Sequence, residues 1–343
     1  MMQGFQPGMK SIIRAVRYGT PFMTYSIEML SESNVHRWEE FNNQSREGTL
    51  FHSIQWKSVL EDILNVKAQY YLIVEDRRVV GLCPGVEQSA GFFRGLASIP
   101  YSEFNNLVLD DSFDTGRFDE VLQHFAERYS FLYFNTYSPA TLDGIHHNVL
   151  GVVETGNMVL NVKQKPPDEI WSSFSRNMRY NIQLFEKRGF KIREVNQRSE
   201  VERFYRYYVE NLIHIKGEIL PFSFFERLLE QFPDRVKIAV LANGDVFAGG
   251  WLMLLSPERR SAYYQYLALN RDLPNQYTPT YPLYWNLVNQ AWDNGYETLS
   301  FGRQRLDPEN PRFQSKAKFG AEHVPIYSRG HPNILPIMTL HAK

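Results

Sequence analysis

Cationic side chains at regular spacing are the residues of this 343-residue chain best equipped for chemistry. Arg176, Arg179 and Lys187 fall on one predicted helix with Asn177 and Asn181. Spacings of three and four put Arg176 and Arg179 on one side of it, a layout suited to a phosphate or phosphodiester. The same spacing serves equally well as a solvated face paired with Glu186. A second candidate is Gly302-Arg303 at the end of a predicted strand over 297–301, where the glycine admits a ligand close to the backbone and the arginine presents a guanidinium. A structural turn carrying a surface arginine gives the same pattern. Metal chemistry finds little support. The lone Cys83 lies in an apolar strand pattern, as inert core would, and the adjacent His146-His147 cannot share a helix face.

Composition narrows the class. With 37 Lys+Arg against 38 Asp+Glu there is no global footprint for nucleic acid, although a local basic groove is compatible with that balance. A single cysteine forms no intramolecular disulfide and fits a reducing, cytoplasmic compartment. No apolar run is long enough to span a membrane. Residues 1–22 read as a disordered leader, with Met23 as a second candidate start; Lys10, Arg14 and Arg17 around Ile12, Ile13 and Val16 give the alternative of a basic amphipathic contact with a membrane surface.

The elements that must position these residues run in a repeating order. Residues 25–27 open a strand, helical patterns follow at 35–41 and 54–64, and a hairpin turns at Asp76-Arg77-Arg78. A strand around 106–108, a helix at 118–129 and a strand at 131–135 close the first unit. The second has a strand at 158–162, a helix over 169–188 stopped by Gly189, and a strand at 190–195. Helices at 201–214 and 224–232 then precede a hairpin turning at Asn243-Gly244-Asp245. Apolar Leu283, Leu287, Val288, Ala291 and Trp292 mark a buried helix before Gly295. The paired hairpins, Y-Y-L-I-V-E-D-R-R-V-V-G-L and I-A-V-L-A-N-G-D-V-F-A-G-G-W-L, point to duplication. The expected boundary lies near 151–156, after a helix at 140–150, giving domains 23–153 and 154–343 with a cleft between them.

The stretch 281–304, Y-P-L-Y-W-N-L-V-N-Q-A-W-D-N-G-Y-E-T-L-S-F-G-R-Q, followed by S-K-A-K-F-G-A-E-H-V-P-I-Y at 315–327, resembles the C-terminal signature of FemAB-like proteins of the GNAT acyltransferase superfamily. There, a D-F-G-R-S strand precedes an F-K-x-x-F/W-G segment. S-F-S-R-N-M-R-Y-N-I-Q-L-F-E-K-R-G at 173–189, F-Y-R-Y-Y-V-E-N at 204–211 and P-F-S-F-F-E-R-L at 221–228 extend the likeness. The resemblance implies a mixed α/β fold of tandem GNAT-like domains and N-acyl transfer, moving an acyl or aminoacyl group to an amine of a cell-envelope or polysaccharide precursor. The donor it implies is aminoacyl-tRNA or acyl-CoA, with no permanently bound cofactor, and the acceptor is a small or nucleotide-linked molecule. An RNA donor would need a basic track, for which Arg176, Arg179, Lys187, Arg188, Lys316 and Lys318 are the clustered candidates.

Carried over residue by residue, the resemblance makes Lys316, or else Lys318, the lysine beside the donor channel, able to pair with a phosphate or polarise a carbonyl. Arg303 keeps the arginine of D-F-G-R, whereas Ser300 stands where relatives carry aspartate and removes one candidate base. Tyr264, with Gln265 and Tyr266, lies on the strand that faces the acyl donor in GNAT folds, though cross-strand packing also explains these side chains. Tyr284, on the signature helix, is a substrate-side candidate. Ile99-Pro100-Tyr101-Ser102-Glu103-Phe104 resembles the loop beside the acceptor pocket, which nominates Tyr101 and Glu103. His52 matches a family position but suits a cap. The glycine-rich pyrophosphate loop of ordinary GNAT enzymes has no clean counterpart at 275–279, and a carrier that kept the cleft but lost catalysis is the non-enzymatic alternative.

Overall fold

A computed structural model describes residues 25–90, 92–104, 107–136, 155–274 and 276–331. The leader at 1–22, the helix at 140–150 and His146-His147 lie outside these residues.

The first half runs β1 (Tyr25–Met29), α1 (Val35–Gln44), α2 (Ile54–Leu64), β2 (Ala68–Glu75), β3 (Arg78–Ala90), β4 (Phe93–Ser98), β5 (Val108–Leu109), α3 (Phe118–Ala126) and β6 (Phe131–Thr136). The second opens with β7 (Thr155–Asn161), α4 (Pro167–Ser173) and α5 (Arg176–Lys187). It continues through β8 (Lys191–Glu194), α6 (Arg198–Ile215), α7 (Phe222–Gln231), β9 (Val236–Asn243), β10 (Val246–Ser256) and β11 (Ser261–Leu269). It ends with α8 (Thr280–Asp293), β12 (Thr298–Arg305), α9 (Pro311–Ala317) and β13 (Glu322–His331).

Strand order in the sheet is β1-β2-β3-β4-β6-β13-β7-β12-β11-β10-β9-β8, with β5 paired to β3 off this path. Read from its two ends, the order repeats. Antiparallel pairs lead from β1 to β4 and from β8 to β11, and each run then meets a parallel neighbour, β6 in one half and β12 in the other. The hairpins match as expected, but the counterpart of β1 is β8, not β7. The repeat therefore starts at the strand before each pair of helices, and β7 with α4 and α5 precedes the second copy. β13 joins the copies: Glu322–Ile326 pairs with β7 and Tyr327–His331 with β6, both antiparallel.

Two other expectations change. The helix anticipated over 169–188 is broken at Phe174-Ser175, because the Ser175 hydroxyl accepts from the Met178 amide and caps a new helix. The strand expected over 297–301 runs on to Arg305 through an irregularity between Ser300 and Arg303.

Burial ties the halves together. Trp38, Phe51 and Trp56 from the first half share one buried cluster with Phe204, Tyr208, Phe224 and Phe225 from the second. Arg259 reaches across with three hydrogen bonds, from Nε to the Gly48 carbonyl at 2.6 Å and from Nη2 to the Asn42 and Asn43 carbonyls at 2.9 and 3.4 Å. Buried carbonyls satisfied by a guanidinium make this a directional lock as well as a packing contact. A separate cluster of the second half packs Leu283, Leu287 and Val288 of α8 beneath β10 and β11. Gly249 serves that packing, since a Cβ there would sit 2.8 Å from Leu283, and Gly250 serves the shared cluster, since one there would sit 2.6 Å from the Ala239 carbonyl and 2.9 Å from Phe204.

Candidate active site

The parallel ladder between β11 and β12 is short. It joins Ser261–Tyr263 to Thr298–Ser300 and then stops, although both strands continue. Past this point the strands part. Gly302 takes φ +79, a left-handed conformation that costs other residues about 1–2 kcal/mol, and turns the β12 backbone away at the mouth of the gap. A Cβ there would lie 3.5 Å from both the Tyr264 carbonyl and a Glu103 carboxylate oxygen, so the glycine also sets how closely these groups approach.

Around the gap is a cleft of about 810 Å3. Tyr264–Leu267 of β11 and Phe301–Gln304 of β12 form its floor, α6 and α9 form walls, and the loop Pro100–Glu103 arrives from the other half. Six of the nine candidate residues meet here: Lys316, Arg303, Tyr264, Tyr101, Glu103 and Tyr284. Arg176, Arg179 and Lys318 do not line it. Arg176 is exposed on α5, Arg179 donates to the Trp171 and Ser172 carbonyls at 3.4 Å, and Lys318 is exposed just past α9. Nor does Lys316 belong to an exposed basic track, since it is only 8% accessible.

Two charged groups are buried in the cleft wall. Glu103 is 6% accessible, accepts from Gln265 Nε2 at 3.2 Å, and is hydrogen-bonded by Ser300. Burial pushes its carboxyl up to about 7, against the opposing pull of the Ser300 hydroxyl and of the Lys316 and Arg303 charges. Lys316 approaches the Gly302 carbonyl at 3.5 Å. Burial lowers its ammonium to about 8, partly restored by Glu103 and lowered further by Arg312. Near neutral pH the site therefore holds a carboxylate able to take a proton and an ammonium able to stabilise negative charge, coupled through Gly302. Ser300, which removed a carboxylate from β12, hydrogen-bonds the carboxylate that the first half supplies.

Tyrosines complete the floor. Tyr264 and Tyr284 pack edge to face with ring centroids 5.5 Å apart, and Tyr264 donates to Tyr284. Burial holds the Tyr264 phenol well above its ordinary range, so it stays protonated and cannot act as a base. Tyr101 has φ +56 and donates to Glu218 at 2.6 Å, bridging the loop of one half to the loop after α6 in the other. His52 lies elsewhere. Its Nδ1 accepts from the Thr49 amide at 3.1 Å, completing a capping box.

Reasoning from sequence missed Arg271 and Arg312, which also line the cleft. No spacing rule joins them, because they meet only after α9 folds back against β12. Among the described residues no cluster of His, Cys, Asp and Glu is placed to hold a metal, and no helix is long and apolar enough to cross a membrane.

Comparison with known proteins agrees with this geometry. Residues 172–313 match the family described as Acetyltransferase (GNAT) domain. No curated protein sequence matches the chain. The fold is similar to that of FemX, with a TM-score of 0.64 at 12% identity over 88% of this chain and 96% of that one. A tandem GNAT protein from the clavulanic acid biosynthesis pathway aligns with a TM-score of 0.56 at 8% identity, over 90% of this chain and 100% of that one. L-PGS from Bacillus licheniformis aligns with a TM-score of 0.53 at 12% identity, over 76% and 83%. The GNAT fold implies an acyl-CoA donor in general. Residues 172–313 thus carry a GNAT acetyltransferase-type domain, and the chain as a whole has the tandem GNAT-like fold seen in FemX and the clavulanic acid pathway protein.

Proposed function

We propose that the protein is an N-acyltransferase of FemAB type, transferring an acyl or aminoacyl group to an amine of a cell-envelope or polysaccharide precursor in the cytoplasm. The observation that carries this reading is the meeting of Glu103 from one half with Lys316 from the other, both buried at the open end of the β11–β12 gap. The donor carbonyl lies against that gap and the amine enters past Tyr101. As the amine nitrogen bonds to the carbonyl carbon, its proton passes to the Glu103 carboxylate. The Lys316 ammonium stabilises the oxyanion, and as the bond to the leaving sulfur or oxygen breaks, the proton held by Glu103 passes to that leaving group beside the Tyr264–Tyr284 hydroxyl pair. Domains of 23–153 and 154–343 fit this reading because each supplies one of the two charged groups.

Acyl-CoA is the second donor reading, and the parted strands favour it. An extended thioester arm can hydrogen-bond the backbone of β11 beyond Tyr263, where the ladder to β12 has ended. Incubating the purified protein with acetyl-CoA or with aminoacyl-tRNA, together with a panel of amino sugars and peptides, and weighing the products by mass spectrometry, separates the donors. An acceptor gaining the acyl mass supports the reading. Tight ligand binding with no new amide from any donor would make the protein a carrier instead.

A further inference from the structure

Trp56 of α2 is 1% accessible and lies in the cluster that both halves share. Its ring meets Phe51 edge to face with centroids 4.9 Å apart, and it meets Phe224 and Phe232 of the second half, each at 6.3 Å. An indole in such surroundings must place its N–H, because a buried donor left without an acceptor is costly. Nε1 donates to the Ser102 hydroxyl at 2.8 Å, a partner 46 residues further along the chain. Trp38, the other tryptophan of this cluster, is spent differently. Its Nε1 donates at 2.7 Å to the backbone carbonyl of His52, in the segment between α1 and α2.

An indole N–H can only donate, so the Ser102 hydroxyl accepts here and its own proton is directed elsewhere. That proton goes to the Pro100 carbonyl at 3.0 Å, closing a turn over Tyr101, the residue with φ +56. A left-handed backbone at a tyrosine persists only where its neighbours hold it. Glu103 follows directly, and Phe104 beyond it packs against Tyr263 of β11 with centroids 5.4 Å apart. The loop is thus tied down at Tyr101 by Glu218, at Ser102 by Trp56 and at Phe104 by Tyr263. Glu218 is exposed and Phe104 half-buried, whereas Trp56 and Ser102 are 1% and 7% accessible. Water competes least for the buried bond, which therefore fixes the loop most firmly. What Glu103 faces stands on the second half: the Lys316 and Arg303 charges, the Gln265 and Ser300 side chains, and the buried, neutral phenols of Tyr263, Tyr264 and Tyr266. A small displacement of the loop changes all these contacts together and lets water reach the carboxylate.

We propose that Trp56 is a positioning residue: its indole, seated against aromatic side chains of the second half, holds the Ser102 hydroxyl and so fixes Glu103 in the cleft of that half. This role rests on the reading that gives Glu103 the transferred proton, but its test needs no substrate and can fail separately from that reading. The measurement is the titration of the Glu103 carboxyl by carbon-13 NMR in the full chain, with the signal assigned by its absence from Glu103→Gln. Burial is the largest influence on that carboxyl, so a loosened loop moves its midpoint down toward the ordinary carboxylate range. Trp56→Phe and Ser102→Ala are each expected to lower the midpoint by about one pH unit or more. Trp38→Phe, which removes the same ring and the same N–H from the same cluster, is expected to leave the midpoint where wild type has it. Ser102→Ala alters a loop side chain and no core ring, so it decides the matter should Trp56→Phe fail to fold. A wild-type midpoint in Ser102→Ala or in a folded Trp56→Phe, or an equal fall in Trp38→Phe, would overturn the proposal.

Discussion

The two halves repeat one strand order yet treat its weak point differently. In each, a parallel ladder of three residue pairs ends early: Gly95–Ala97 against Phe131–Tyr133 in the first half, Ser261–Tyr263 against Thr298–Ser300 in the second. In the first half Ser98 closes the gap. Its hydroxyl accepts from the Asn135 amide at 3.0 Å and donates to the Tyr133 carbonyl at 3.5 Å, carrying the connection past the end of the ladder. In the second half Gly302 turns away, and the opening becomes the cleft. The loop after β4, no longer needed at its own gap, places Tyr101 and Glu103 in the other half's site. The repeat thus has one open gap and one closed one, and on the proposed reading the chemistry belongs to neither half alone.

The largest expected effect comes from removing the charge that only the second half provides. Lys316→Met should lower the rate of amide formation about 100- to 1,000-fold, the scale of losing one oxyanion donor, with donor affinity changed much less. Single-turnover kinetics at saturating donor would check it. A change confined to binding would return Lys316 to a structural part.

The first half's contribution should be costly to stability. The Glu103 carboxyl titrates at about 7 in the fold against 4.5 when unperturbed. The folded protein therefore holds a proton that the unfolded chain has lost between these values, and the stability this provides fades as pH rises through about 7. Glu103→Gln carries no such penalty. Its stability relative to wild type should improve from pH 4.5 to pH 8 by roughly 2–3 kcal/mol, read from urea unfolding at both pH values. An unchanged difference would mean that Glu103 is not buried as a charge.

Smaller effects probe the gap itself. Gly302→Ala should cost about 1–2 kcal/mol through its left-handed backbone and crowd Glu103, lowering activity as well. Ser98→Ala should cost about 1 kcal/mol and leave activity unchanged, because its gap is closed and unused. Thermal unfolding with parallel rate measurements distinguishes them, and equal losses of activity in both would erase the contrast between the halves.

How much of this is legible in the sequence follows from the range of each interaction. The hairpins, α6 and α8 declare themselves by local periodicity, and the family motifs bring Lys316, Arg303, Tyr101 and Glu103 forward. The Ser175 break is local too, since a serine three residues before Met178 is a helix start that an unbroken apolar pattern masks. Other features are not local. Glu103 gains its character from Gln265, 162 residues away, and from Ser300, whose substitution for aspartate looks like a loss until the carboxylate from the other half is seen beside it. Arg271 and Arg312 come from segments with no shared motif, while Arg176 and Arg179 carry the motif and lie outside the cleft. β13 could not be foreseen as one strand serving both halves, because its pairing changes partner between Ile326 and Tyr327.

The central claim is that Glu103, supplied by one half, takes the proton released in the other half's cleft. The rate of amide formation as a function of pH in wild type and in Glu103→Gln tests it most directly. In wild type the rate should rise to its maximum as pH passes about 7, where Glu103 loses its proton, and fall above about 8, where Lys316 loses its own. Glu103→Gln should be slower throughout and lack the rise near 7, while the alkaline fall moves below 8 because Glu103 no longer supports the Lys316 charge. A Glu103→Gln protein with the wild-type rate and the same acid limb would contradict the account.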